Sequence, residues 1–195
     1  MKRLSVALLF ALLLAACQSA PPVPENKYYR LQNSPATPAT SPLLKAEVTV
    51  LPFKAEGLYS ERAMVFAGDG GRQLQQYHYH HWFYTPAQLV QQFLAVQLRQ
   101  AGLSNTVQAS ERLDETQYIV SGRVIHFERI AAQNKALVKL ELRLEKKGKR
   151  LWQQTYSAEE AMAENSIPAF VLATESALQR ITNEFVAHLR TARLD

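Results

Sequence analysis

The chain has 195 residues, 47% of them apolar, with 22 Lys and Arg against 17 Asp and Glu. That length suits one domain, and a mildly basic charge spread along the chain, not clustered among aromatics, argues against a nucleic-acid surface. A single cysteine excludes an intramolecular disulfide, so stability must come from the core alone.

Lys2 and Arg3 precede an apolar run over residues 4–16 that only Ser5 interrupts. The run is too short for a spanning helix, which needs about 20 apolar residues. It has the layout of a signal peptide over residues 1–16. Leu14-Ala15-Ala16-Cys17 resembles the bacterial lipobox, in which small residues fit the peptidase cleft and the thiol takes diacylglycerol. Each buried acyl methylene contributes roughly 0.8 kcal/mol, so two or three palmitate-length chains on Cys17 would hold the protein at a membrane without a spanning helix. Gln18 after the thiol, where an aspartate would signal retention in enteric bacteria, favours the outer membrane. Cleavage removes Lys2 and Arg3, leaving 20 basic and 17 acidic residues.

Residues 17–42 read as a Pro-rich tether holding six of the nine prolines, with a short strand expected over 28–32 around Tyr28 and Tyr29. Residues 43–195 read as a single domain. Val48 and Val50 mark a strand over 46–51, which Pro52 ends. The glycines of 68–71 predict a hairpin turn between strands over 63–66 and 73–77. Thr85, Pro86 and Gln88 combine an N-cap, a first-turn proline and a capping box, and Gly102 closes the helix they start. A long strand follows over 117–128, where Gly122 suggests a bulge or bend. A cleanly alternating strand over 136–144 leads through the turn at Lys146 to Lys149 into a partner over 150–157. A second helix begins near Asn165 or Ser166, with Pro168 in its first turn. The expected fold is α+β: a mostly antiparallel sheet of about five strands with two long helices packed on one face.

His78, His80 and His81 are the obvious metal candidates, but along a strand His78 and His80 share a face that His81 leaves, and no nearby acid or thiol completes a site. No nucleophile motif and no phosphate-binding loop is present. His126 and Glu128 have the same-face spacing of an acid/base pair, with a structural role as the plainer reading. No catalytic residue, metal or cofactor is therefore assigned. The density of rings before the first helix suggests a contact surface made by Tyr77, Tyr79, Trp82, Phe83 and Tyr84, or else a cap on the sheet end.

The order of lipobox, Tyr28-Tyr29-x-Leu31, a Val-rich strand ending at Pro52, tyrosines running into Trp82, and Val124-Ile125-His126-Phe127-Glu128 resembles the ABC-type transport auxiliary lipoproteins, the Pqi-type family. The His-rich stretch departs from that pattern. The resemblance implies a non-enzymatic, outer-membrane lipoprotein on the periplasmic side. It would work with an MCE-domain protein and an inner-membrane transporter in lipid transport that preserves envelope integrity. Homo-oligomerisation is left open. Two other classes compete with it: an activator lipoprotein that docks on a barrel protein or cell-wall synthase, and a small metal-dependent periplasmic enzyme. Cys17→Ser is expected to abolish palmitate labelling and release the protein from the membrane fraction; a variant still labelled would place the lipid elsewhere.

Overall fold

The computed structural model describes residues 23–34, 41–112 and 118–192. The expected signal peptide, Cys17 and the chain up to Pro22 lie outside them. The described strands are β1 (Lys27–Tyr29), β2 (Val48–Val50), β3 (Lys54–Ala55), β4 (Ala63–Ala67), β5 (Leu74–Trp82), β6 (Val107–Ala109), β7 (Tyr118–Ile130), β8 (Lys135–Lys146) and β9 (Lys149–Ala161). Helix α1 (Pro86–Gln100) lies between β5 and β6, and α2 (Ile167–Thr191) closes the chain.

β7 is the spine of the sheet. One edge pairs along its length with β8 in an antiparallel hairpin, and β8 continues into β9 through Lys147 and Gly148, both at positive φ. The other edge is covered by three short parallel partners in succession: β2 beside Tyr118 to Val120, β3 beside Arg123 and Val124, β4 beside Glu128 to Ile130. β6 then adds to β2, β5 to β4, and β1 to β5.

The α+β class and the two helices agree with the sequence. The sheet corrects it, being mixed and nine-stranded where a mostly antiparallel sheet of about five was expected. Strands of two or three residues show too little alternation to stand out, and strand direction is settled by which edge is free, not by local sequence.

The core lies between the sheet and the helices. Val120, Val124 and Phe127 pair with Leu144, Leu140 and Val138, and all six are buried. α1 covers the β2 and β6 side and α2 the β8 and β9 side. At α1, Gln88 Oε1 accepts from the Thr85 amide at 3.3 Å and the Thr85 hydroxyl at 3.1 Å. The buried Gln91 amide donates to the Val50 and Ser110 carbonyls, stitching α1 to the sheet. At α2, Ser166 Oγ accepts from the Ala169 amide at 3.2 Å. Among the described residues no helix is long and apolar enough to cross a membrane.

Residues 27–34, read as tether apart from a short strand, are built into the fold. β1 pairs with β5, and the Phe83 amide donates to the Tyr29 carbonyl at 2.6 Å. The chain then straps both helices: the Gln32 amide donates to Glu175 at 2.6 Å, and Gln97 Nε2 to Asn33 Oδ1 at 2.8 Å.

The expected bulge at Gly122 is also displaced. Gly122 pairs in register with Leu142, and the irregularity falls between Val124 and His126. The glycine is required for closeness: a Cβ there would overlap the Glu141 carbonyl and sit 2.8 Å from Cε1 of the buried Phe53 ring. Gly122→Ala is expected to cost about 2–3 kcal/mol through overpacking, read as a lower urea midpoint; an unchanged midpoint would show that β7 and β8 separate without penalty.

Candidate functional site

β5 ends by turning Trp82 inward. Its indole is fully buried, 5.3 Å from the Phe127 ring and 5.7 Å from Phe170. Trp82 is thus a core residue, which corrects its assignment to a partner-contacting surface. A ring run read only as dense aromatics conceals which member faces the core; the register of β5 is irregular before its end, and it is packing against Phe127 and Phe170 that sets Trp82 inward. Its neighbour His81 lies on the other face and packs against Tyr28 at 5.6 Å.

Tyr77 is also partly withdrawn. It packs on Phe66 at 4.6 Å, and its hydroxyl accepts from Arg129 Nη1 at 2.5 Å. Arg129 is buried and also donates to Asn165, just before α2, so Tyr77 belongs to a bridge between sheet and helix. The remaining three rings are exposed: Tyr79 and Tyr84 at 41% and Phe83 at 51%.

Phe83 and Tyr84 pack edge to face at 4.8 Å in the two-residue gap between Trp82 and the N-cap Thr85. They line a hollow with Arg30, Leu31 and Leu89. A neighbouring hollow across Arg30 is lined by Val171, Leu172 and Glu175 of α2. Leu172 is 63% exposed and escaped the sequence reading because it lies off the apolar stripe of α2. The strap over residues 30–34 therefore runs between two hollows, one at each helix, of which the α2 hollow is mainly apolar and the α1 hollow mixed.

The histidines do not converge. His80 Nδ1 lies 3.0 Å from the Tyr29 hydroxyl, and His81 Nε2 3.1 Å from the His78 carbonyl. Burial, with Lys27 and His81 nearby, holds the His80 imidazole below its ordinary pKa. Among the described residues no three His, Cys, Asp or Glu side chains gather as a metal site.

His126 and Glu128 do come together on β7, with Nδ1 3.5 Å from Oε2, and the Tyr59 hydroxyl donates to the same carboxyl. Tyr59 comes from a single 3-10 turn over Gly57–Ser60, which sequence periodicity does not reveal. Glu128 is 4% exposed, and burial pushes its pKa up to about 7. Burial and the Lys139 charge hold His126 below its usual range. The pair and the Gly70 turn line a crevice of about 360 Å³. Such a carboxyl can carry a proton near neutrality.

Over residues 29–186 the chain matches the family model described as the ABC-type transport auxiliary lipoprotein component. The chain belongs to that family. A crystal structure of protein XCC0632 from Xanthomonas campestris superposes with a TM-score of 0.69 at 19% identity, covering 85% of this chain and 95% of that one. A second crystal structure, of an uncharacterized protein, gives 0.68 at 13% identity over 85% and 99% of the two chains. At these identities the likeness concerns the fold. No curated protein sequence matched. As a member of a lipoprotein family, this auxiliary component is a membrane-anchored protein of the cell envelope.

The raised Glu128 pKa has a definite sign. Between about 4.5 and about 7 the unfolded chain ionises this carboxyl while the folded chain keeps it protonated, so its contribution to stability falls as pH rises through that window. The loss amounts to about 3 kcal/mol. His126, with its pKa depressed, acts oppositely on the acid side. Glu128→Gln is expected to raise the melting temperature above pH 7 and flatten the decline that begins near pH 4.5; identical wild-type and variant pH profiles would exclude a buried neutral carboxyl.

Proposed function

We propose that this auxiliary lipoprotein is a non-catalytic docking subunit of an ABC/MCE-type lipid transport system. Cys17 anchors it to the periplasmic face of the outer membrane, and an MCE-domain protein, linked in turn to the inner-membrane transporter, is its partner. Membership of the auxiliary family supports association with transporter components. The observation that carries the docking role is the exposed Phe83 and Tyr84 pair, held between a fully buried Trp82 and a capped helix.

Large rings exposed on rigid backbone lose little conformational freedom when covered, which makes them effective anchors in protein interfaces. Leu172 across the strap extends the apolar surface, and Arg30 between the two hollows supplies a cation of the kind enriched at interfaces. Tyr79 lies farther along β5 and extends the contact. β1 starts ten residues after Cys17, at Lys27, which limits the separation of anchor and domain edge to about 34 Å of extended chain.

The test is crosslinking and copurification of the full-length protein from its host with Phe83→Ala and Tyr84→Ala, using Cys17→Ser as the anchor control. Truncating both rings is expected to weaken capture of the MCE-domain protein at least tenfold, while the melting curve stays near wild type. Trp82→Ala is unsuitable as an interface probe, since removing a buried indole costs about 3–5 kcal/mol of stability. Recovery of only a barrel protein or a cell-wall synthase would replace the transport reading with an activator role.

A further inference from the structure

The sheet face turned away from the helices carries a second, unrelated feature. Ser121 and Arg123 on β7, Arg143 on β8 and Lys54 on β3 line one crevice of about 450 Å³, which also includes Glu56. An adjoining hollow of about 250 Å³ shares Lys54, Glu56 and Arg123 and ends at Tyr59. Register explains the gathering. Arg123 is directly opposite Glu141, and Ser121 opposite Arg143, one residue out of step with the core-facing Val124 and Leu140 pair.

Glu141 organises the cations. Its carboxylate accepts from Arg143 Nη2 at 2.5 Å and from Gln153 Nε2 at 2.9 Å, with Arg123 Nε 3.7 Å away. Burial alone would raise its pKa, but hydrogen bonds from Gln153 and Arg143 and the charges of Arg143 and Arg123 outweigh that and hold it below the usual range. One ionised carboxylate thus positions two guanidiniums without neutralising both. With Lys54 and Glu56 included, three cations face two carboxylates, leaving one positive charge in excess. Among the described residues, Arg143 Nε is buried with no hydrogen-bond partner.

We propose that this crevice binds a phosphate group presented as a singly charged phosphodiester, on a small molecule or on a phospholipid headgroup. A planar carboxylate is satisfied by one guanidinium fork. Donors arriving from three strands, with a hydroxyl from Ser121 among them, suit a tetrahedral oxyanion with acceptors on several sides. The excess charge matches one ionised phosphodiester oxygen, and the volume lies within the range of small-molecule sites. The site shares no residue with the Phe83 and Tyr84 surface, so either can fail without the other.

The experiment uses the chain from residue 17 onward with Cys17→Ser, so that acyl chains do not mask lipid binding. Calorimetric titration would use glycerophosphoglycerol, inorganic phosphate and acetate in turn. Sedimentation would use vesicles of phosphatidylglycerol in phosphatidylcholine. Lys54→Gln and Arg123→Gln are the variants, because both side chains are largely exposed and lie outside the Arg143 and Gln153 bonds to Glu141. Saturable glycerophosphoglycerol binding, weakened about tenfold by either variant and not matched by acetate, would support a soluble ligand. Binding to vesicles alone, lost in the same variants, would support the headgroup. Equal binding of acetate, indifference to both substitutions, or no binding to any probe would overturn the proposal.

Discussion

The fold depends on where the Trp82 indole goes. Fully buried against Phe127 of the central strand and Phe170 of α2, it joins the end of an outer strand, the middle of the sheet and the first turns of the C-terminal helix in one aromatic cluster. With that indole inward, the next two residues have no core left to enter before the chain turns into α1. Phe83 and Tyr84 are consequently held at the surface by the packing of their neighbour. The same strand end receives Tyr29 through the Phe83 amide, which brings the N-terminal segment onto the domain and directs it across both helices.

This arrangement separates two surfaces. At the helix layer, the strap runs between a mixed hollow edged by exposed rings and a mainly apolar one edged by Leu172. On the opposite face of the sheet, where β7 and β8 are free of helices, charged side chains alternate with core residues and collect around Glu141. The first suits a protein partner; the second has the chemistry for an oxyanion. Farther along β7, on that same face, sits Glu128, whose burial beside Tyr59 and His126 makes it an acid poised near neutrality rather than a surface carboxylate.

Much of the architecture was legible. α1 could be placed to the residue because an N-cap, a first-turn proline and a capping-box glutamine are local signals that need no tertiary partner. The β8 and β9 hairpin was legible from alternation and the Lys-Lys-Gly-Lys turn, and α2 from its apolar stripe. β3 and β6 were not, being two and three residues long, and neither was the parallel attachment of β2, β3 and β4 to one edge of β7. The candidate surface was half legible: the ring-rich segment stands out in sequence, but sequence alone does not separate Trp82 and Tyr77, which pack inward, from the exposed rings beside them. The cations of the crevice appear in sequence only as ordinary polar positions, since Lys54 is some 70 residues from Arg123 and only pairing brings them together.

By itself, the amino-acid sequence determined the bounds of α1, the neighbourhood in which α2 starts, the long hairpin, the expectation of a lipid anchor at Cys17 and the family pattern, because each of these is written in residues close together along the chain. Tertiary structure alone decided which ring of Tyr77 to Tyr84 is buried, which edge of β7 accepts three parallel strands, and which charges share a crevice. Those outcomes depend on competition for a finite core and a finite number of free backbone donors and acceptors. Only the assembled sheet resolves that competition.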